Sequence, residues 1–186
     1  MLLLMPKHKS DNLLIDLGIF VVTLFAANIV WKLSVDTDEA QSWVTIFGND
    51  VTGFYDYLSE ITTAWVYNWV HVFRDTIHVA EPNILYFDSG SHTRVAWSCV
   101  PIKQAFIWLC LILTTRGGWI HKSWYIPTGW VVIWFFNILR IGLICLFIEF
   151  HPIWFNFLHV YVFKYLFYGV MFLMWLLFVN KVAKRT

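Results

Sequence analysis

Four long apolar stretches and one long polar interval divide the chain. The apolar stretches cover about residues 13–35, 100–115, 127–150 and 158–180. A helix rises about 1.5 Å per residue, so such stretches can cross a hydrocarbon core about 30 Å thick, the second only as a short span. The pattern therefore predicts an all-α membrane protein with four transmembrane helices.

The composition supports this interpretation. Of the 186 residues, 59% are hydrophobic and only 13% are charged, whereas about 25% of the residues in a typical soluble domain are charged. A net charge of +1 gives no indication of a nucleic-acid partner. The sequence shows neither repeats nor a linker, so we expect residues 1–186 to form a single integral-membrane domain.

The first apolar stretch has two interpretations. It could be a secretory signal peptide cleaved near Ala26 and Ala27, or an uncleaved membrane anchor. The apolar run continues beyond these alanines through Trp31, which favours the anchor, because a signal peptide is polar soon after its cleavage site.

The interval 36–98 mixes aromatic and polar residues. Aromatic and aliphatic residues recur at helical spacing over 54–79, with charged residues between them, which predicts one amphipathic helix that lies on the membrane surface. Residues 84–87 and 93–97 flank a turn that contains Gly90, which predicts a short β-hairpin. The hairpin leads directly to Cys99.

The basic residues predict the topology. Seven of the thirteen lysines and arginines fall into three clusters, which belong on the cytoplasmic side by the positive-inside rule. With four crossings, both termini are then cytoplasmic, and 36–98 and 151–157 lie outside. If 54–79 also crossed the membrane, the later clusters would lie outside, which disfavours that alternative. The clusters are Lys7 and Lys9; Arg116 and Lys122; and Lys181, Lys184 and Arg185.

Cys99 lies where the polar interval meets the second apolar stretch. Pro101 suits the first turn of a helix, so Ser98 or Cys99 would be the N-cap. The sulfur would then lie at the positive end of the helix dipole, with Lys103 on the same helical face. Both effects favour the reactive thiolate. The other cysteines lie inside apolar stretches: Cys110 and Cys145.

Arg140 is the second polar residue that needs an explanation. It lies inside the third apolar stretch, one turn after Asn137, where an arginine costs at least about 2.5 kcal/mol and usually faces a partner or a wet cavity. The alternative is snorkelling to the interface. His159 opens the fourth stretch. By helical rise, Cys99, Arg140 and His159 all fall near the outer face, within about two helical turns of one another.

A cysteine, a histidine and an arginine together can perform acyl transfer, because a thiolate attacks a carbonyl, a histidine moves protons and a cation stabilises the oxyanion. The segments Trp97–Gln104 and Asn137–Ile141, followed by His159, resemble the exosortase/archaeosortase family of membrane-embedded cysteine transpeptidases. The likeness covers roughly residues 80–180. Two features depart from that pattern: many exosortases have Cys-Ser-Gly where this chain has Cys-Val-Pro, and many have more spanning helices.

The resemblance implies a short bacterial exosortase-like enzyme in the cytoplasmic (inner) membrane. Its catalytic residues would be Cys99, Arg140 and His159, with Asn137 and Lys103 in support. Its substrates would be exported proteins that end in a short motif, a transmembrane helix and a basic tail. The acceptor would be a surface glycan or a membrane lipid. This chemistry requires neither a metal nor a cofactor, and no nucleic acid is involved.

Two other functions remain open from the sequence. The chain could be a non-enzymatic membrane subunit, in which His71 and His78 on one helix bind haem together with His151 or His159, or in which the histidines simply pack in a larger complex. It could also be a transporter with Arg140 along its path, although the absence of internal repeats argues mildly against that.

Overall fold

The computed structural model describes residues 7–38, 42–80, 83–151, 153 and 157–182. This part of the chain is mostly helical and also contains two small antiparallel sheets. The α-helices are α1 (Lys7–Ser34), α2 (Thr52–His71), α3 (Ile102–Thr114), α4 (Trp119–Phe150) and α5 (Phe163–Leu177). The strands are β1 (Val35–Asp38), β2 (Trp43–Ile46), β3 (Asn49–Asp50), β4 (Ile77–Ala80), β5 (Ile84–Phe87) and β6 (His92–Arg94). A 3-10 turn spans Trp97–Cys99, and π-helical segments at Phe157–Val162 and Phe178–Val182 flank α5.

Four helical segments are long and apolar enough to cross a membrane, as the sequence predicts. They are Leu14–Ser34, Trp97–Thr114, Trp119–Phe147 and Phe163–Asn180. α1 continues through Ala26 and Ala27, and Ala27 is buried in the core between the helices. This first segment, for which the sequence favours an uncleaved anchor over a signal peptide, therefore packs against the other helices.

The structure is mostly helical, as predicted, but the interval before Cys99 contains two three-stranded sheets in addition to α2, where the sequence predicted a single short hairpin. β1 pairs with β2 and β2 with β3, a sheet that the polar sequence does not suggest. It forms because β2 buries Val44 against Tyr55 and Trp97. Tertiary contact, and not local pattern, decides this structure.

The predicted helix over 54–79 is too long at its C-terminal end. α2 ends at His71, and Ile77 instead begins β4, which pairs with Phe87 at the end of β5. The pairing buries Ile77 completely and satisfies its backbone groups. The predicted hairpin is confirmed, since β5 pairs with β6 across a turn in which Gly90 has φ +87°.

The third predicted span also begins earlier than expected, at Trp119 rather than at Pro127. The extra turns are stabilised by contacts that only the fold supplies. Lys122 Nζ donates to the carbonyl oxygen of Leu113 at 2.8 Å, and the Tyr125 hydroxyl donates to that of Met174 at 2.8 Å. Pro127 therefore lies inside α4 instead of starting it.

These contacts show that the four candidate spanning helices alternate in direction. The start of α4 lies beside the end of α3 and the end of α5, and Asp16 of α1 lies 3.8 Å from Arg116. The described residues of the three basic clusters, namely Lys7, Lys9, Arg116, Lys122 and Lys181, therefore lie on segments at one end of the bundle, and Lys184 and Arg185 lie outside the described residues. We call this the closed end.

Two glycines let α4 pack closely on its neighbours. A Cβ atom at Gly129 would overlap the indole of Trp108 on α3, and one at Gly142 would overlap the ring of Trp69 on α2. These approaches hold α4 between the bundle core and the α2 layer. The half of α4 that carries Arg140 is thereby packed beside the segment that carries Cys99.

Candidate active site

Cys99 lies in the 3-10 turn that precedes α3, and not at the N-cap of that helix. The N-cap is Pro101, and α3 begins at Ile102. Val100 separates the turn from the helix with extended backbone angles, φ −78° and ψ 131°. A residue before proline is kept out of the helical region by steric clash, so the predicted N-cap at Ser98 or Cys99 is wrong.

This break changes the role expected of Lys103. Cys99 and Lys103 do not lie on one continuous helix, so they do not share a helical face. Lys103 instead lines a cavity together with Ser98 and Val100, the two neighbours of Cys99.

Two side-chain hydrogen bonds anchor the turn of Cys99. The Trp97 indole nitrogen donates to Asp56 Oδ1 on α2 at 2.8 Å. The Asn137 side-chain amide donates to the carbonyl oxygen of Cys99 at 2.8 Å, and Asn137 is only 2% exposed. The predicted supporting residue Asn137 thus contacts the backbone of the predicted nucleophile and fixes its position against α4.

The structure brings Cys99 and Arg140 together. The Arg140 guanidinium lies close enough to Cys99 for the two to interact electrostatically. Cys99 is half-buried and packs against the cluster formed by α2, the second sheet and α4, which includes the fully buried Cys145. A cation beside a thiol stabilises its thiolate form, which is the nucleophile.

Arg140 also faces a cavity of about 450 Å³ at the end of the bundle opposite the closed end. We call this the cavity end. The cavity lies between the C-terminal part of α1, the start of α3, α4 and the start of α5, and Arg140 connects it to Cys99. Its lining residues are Trp31, Val35, Thr37, Tyr55, Trp97, Ser98, Val100, Lys103, Gln104, Arg140, Lys164, Phe167 and Tyr168.

The side chain of His159 lies outside the described residues. Its backbone belongs to the π-helical segment Phe157–Val162, immediately before α5. The preceding residue, Leu158, packs in the cluster of Ile144, which follows Arg140 by one turn of α4. Lys164, five residues after His159, lines the cavity. The segment of His159 is therefore at the cavity end.

The histidines of the haem hypothesis do not share a helix. His71 is the last residue of α2 and stacks on Tyr67, whereas His78 is exposed on β4 and is hydrogen-bonded through Nε2 to Asp88 Oδ1 at 3.0 Å. The prediction that they lie seven residues apart on one helix is wrong, because the strand pairing of β4 ends the helical segment. His151 is exposed at the end of α4.

Sequence reasoning missed three residues of this region. Asp56 positions Trp97, Lys164 adds a second lysine to the cavity, and Tyr55 places a buried phenol there. Lys164 could have been recognised from the sequence, because it is an isolated cation inside an apolar stretch, as Arg140 is. The other two belong to an amphipathic helix whose polar positions look solvated in the sequence.

The arrangement can support nucleophilic chemistry. Acyl transfer through a thioester needs a nucleophile and a group that stabilises the oxyanion. Here the thiol lies on an anchored turn, with a guanidinium beside it and a cavity adjoining it. Comparison with protein-family models, with curated proteins and with solved structures finds no match for this chain. The functional argument therefore depends on the chemistry of these residues.

Proposed function

We propose that the protein is a membrane cysteine transpeptidase of the exosortase type, with Cys99 as nucleophile, Arg140 as oxyanion-stabilising cation and His159 as proton carrier. The observation that carries the proposal is the position of Cys99, which is anchored through its carbonyl by Asn137 and lies within electrostatic range of Arg140. An arginine this deep in an apolar helix is typical of a functional site.

In the first step, the Cys99 thiolate attacks the carbonyl carbon of a peptide bond, and Arg140 stabilises the oxyanion that forms. The C–N bond then breaks, the amine leaves with a proton from His159, and a thioester with Cys99 remains. An acceptor amine or hydroxyl attacks this thioester while His159 accepts its proton, which releases the acylated acceptor and regenerates the thiolate.

The proposed substrate class is supported by the end of the bundle at which the site lies. Cys99 precedes a candidate span, and Arg140 lies in the half of α4 remote from the closed end. With the closed end in the cytoplasm, as the basic clusters indicate, the cavity end faces outward from a bacterial inner membrane. It is then suited to exported proteins that are held by a C-terminal transmembrane helix with a basic cytoplasmic tail.

The proposal is tested in the native host, on an exported protein that ends in a helix and a basic tail. The gel mobility of this protein is compared in strains that carry the wild-type chain, Cys99→Ala, Arg140→Ala or His159→Ala. We expect each variant to leave the precursor unprocessed, while the abundance of the variant in the membrane equals that of the wild type.

Cys110→Ala is the matched control, because Cys110 is half-buried like Cys99 but lies inside α3. Cys145 is a poorer control, because it is buried beside Cys99 and its truncation would disturb the site. Normal processing in Cys99→Ala would refute the thiol mechanism. A haem absorption band in the purified protein would then favour the membrane-subunit hypothesis.

A further inference from the structure

The cavity end concentrates positive charge that the proposed thiol chemistry does not require. Lys103 and Lys164 line the cavity together with Arg140, and the lining residues include no carboxylate. Lys103 also lies within electrostatic range of both Lys164 and Lys32. These cations come from four different helices, so tertiary folding brings them together.

Such a convergence is unfavourable by itself. Like charges repel, and cations in apolar spanning segments normally have a counter-charge or face a wet cavity. Among the described residues, neither Lys103 nor Lys164 forms a salt bridge with a carboxylate. An anionic ligand in the cavity would supply the missing negative charge.

A second, independent observation points to a ligand at this place. Tyr55 is 4% exposed and lines the cavity, and its hydroxyl has no hydrogen-bond partner within the described part of the chain. A buried polar group without a partner is costly. Burial raises the pKa of the Tyr55 phenol, so the hydroxyl keeps its proton and can donate a hydrogen bond to an anion.

The walls of the cavity favour an amphiphilic ligand over a free ion. Trp31 of α1 and Phe167 of α5 line the cavity beside the lysines. The neighbouring side chains Leu33 and Leu166 are exposed on the outer surface of these helices, so the surface beside the cavity is apolar. A phosphate with attached acyl chains could place its charge on the lysines and its chains on the apolar surface.

We propose that this cavity binds the phosphate of a membrane phospholipid, with Lys103, Lys164 and Tyr55 as its direct ligands and Lys32 as a nearby charge. Charge-assisted hydrogen bonds from ammonium groups to phosphate oxygens are the strong interactions at such sites. The proposal does not depend on the thiol reaction, and Cys99→Ala should bind the lipid as the wild type does.

The test measures binding to the purified full chain in detergent by native mass spectrometry. Three probes are compared: dioctanoyl phosphatidylglycerol, dioctanoylglycerol without phosphate, and inorganic phosphate. We expect the phospholipid to bind at least about tenfold more tightly than either other probe, because only the phospholipid engages both the cations and the apolar walls. If dioctanoylglycerol binds as tightly as the phospholipid, the cavity does not recognise phosphate. If inorganic phosphate binds as tightly as the phospholipid, the ligand is a free phosphate and not a lipid.

Variants identify the ligands. Lys103→Gln and Lys164→Gln should each weaken phospholipid binding by about tenfold, and Tyr55→Phe by about threefold to tenfold, since each removes one donor to the anion. Lys164 is exposed, so Lys164→Gln should fold normally even if Lys103→Gln does not. Arg94→Gln removes an exposed cation of β6 and should change nothing. Wild-type affinity in Lys164→Gln would refute the site.

Discussion

The two ends of the helical bundle both contain cations within apolar surroundings, but the cations of the two ends differ in their partners. At the closed end, Lys122 is 7% exposed and donates to a backbone carbonyl, and Arg116 has Asp16 as its counter-charge. At the cavity end, Lys103 and Lys164 lie near each other without a lining carboxylate. Among the described side chains, Lys122 and Arg116 at the closed end have partners inside the protein, whereas Lys103 and Lys164 at the cavity end form no salt bridge with a carboxylate.

We expect this difference in partners to give the cations of the two ends different roles, one in stability and the other in function. A cation with a partner inside the protein contributes to holding the helices together, and its loss leaves a buried group unsatisfied. A cation that lines a cavity without such a partner contributes little to stability and is available to a substrate or a ligand. Variants at the two ends should therefore change different observables.

The largest contrast should come from the two arginines. Arg140→Met should lower the rate of substrate processing by about 10²-fold to 10³-fold, because it removes the cation that we propose stabilises the oxyanion. Arg116→Met should leave this rate unchanged and lower the free energy of unfolding by at most about 1 kcal/mol, since its ion pair is partly exposed. Equal processing by both variants would remove Arg140 from the mechanism.

A second contrast concerns stability at the closed end. Trp175 Nε1 donates to Thr115 Oγ1 at 2.9 Å, and both residues are buried. Thr115→Val keeps the shape but leaves the indole N–H unsatisfied, so we expect a loss of about 1–3 kcal/mol in the free energy of unfolding. Thermal unfolding in detergent measures it. Trp130→Phe is the control, because its hydrogen bond to Ala105 is exposed and should cost less.

Asn137 allows positioning to be separated from stability. Asn137→Leu leaves the Cys99 carbonyl without its donor, so it should destabilise the protein about as much as Thr115→Val does. It should in addition lower kcat about tenfold with little change in KM, since the turn of Cys99 loses its anchor on α4. If the two variants process substrate equally well, Asn137 has a purely structural role.

The smallest expected changes are in thermal stability, and replacing a lysine should change it in opposite directions at the two ends. Lys122→Met should destabilise the protein, because the carbonyl of Leu113 loses a buried donor. Lys103→Gln should raise the thermal midpoint slightly in detergent without phospholipid, because it relieves repulsion with Lys32 and Lys164. This gain should shrink in high salt, which screens the repulsion. A lower midpoint for Lys103→Gln would contradict the unbalanced charge at the cavity end.

The sequence was sufficient for the features that depend on local pattern. Four apolar stretches predicted the four candidate spans, because a helix in lipid satisfies its own backbone groups and needs only length and hydrophobicity. The hairpin around Gly90 was likewise predictable from its turn residues. Cys99 and Arg140 were identified because a thiol before an apolar helix and a cation within one are both unusual.

Tertiary structure decided the rest, because it depends on contacts between segments distant in sequence. Pairing with β5 converted Ile77 from a predicted helical residue into a strand residue, and contacts with α3 and α5 extended α4 beyond Pro127. Local sequence also does not show that the cavity gathers Lys103, Lys164 and Tyr55, since these residues lie on three separate helices. The pattern of hydrophobicity makes four helices long and apolar enough to span a membrane, but only the packing between helices decides which polar side chains meet.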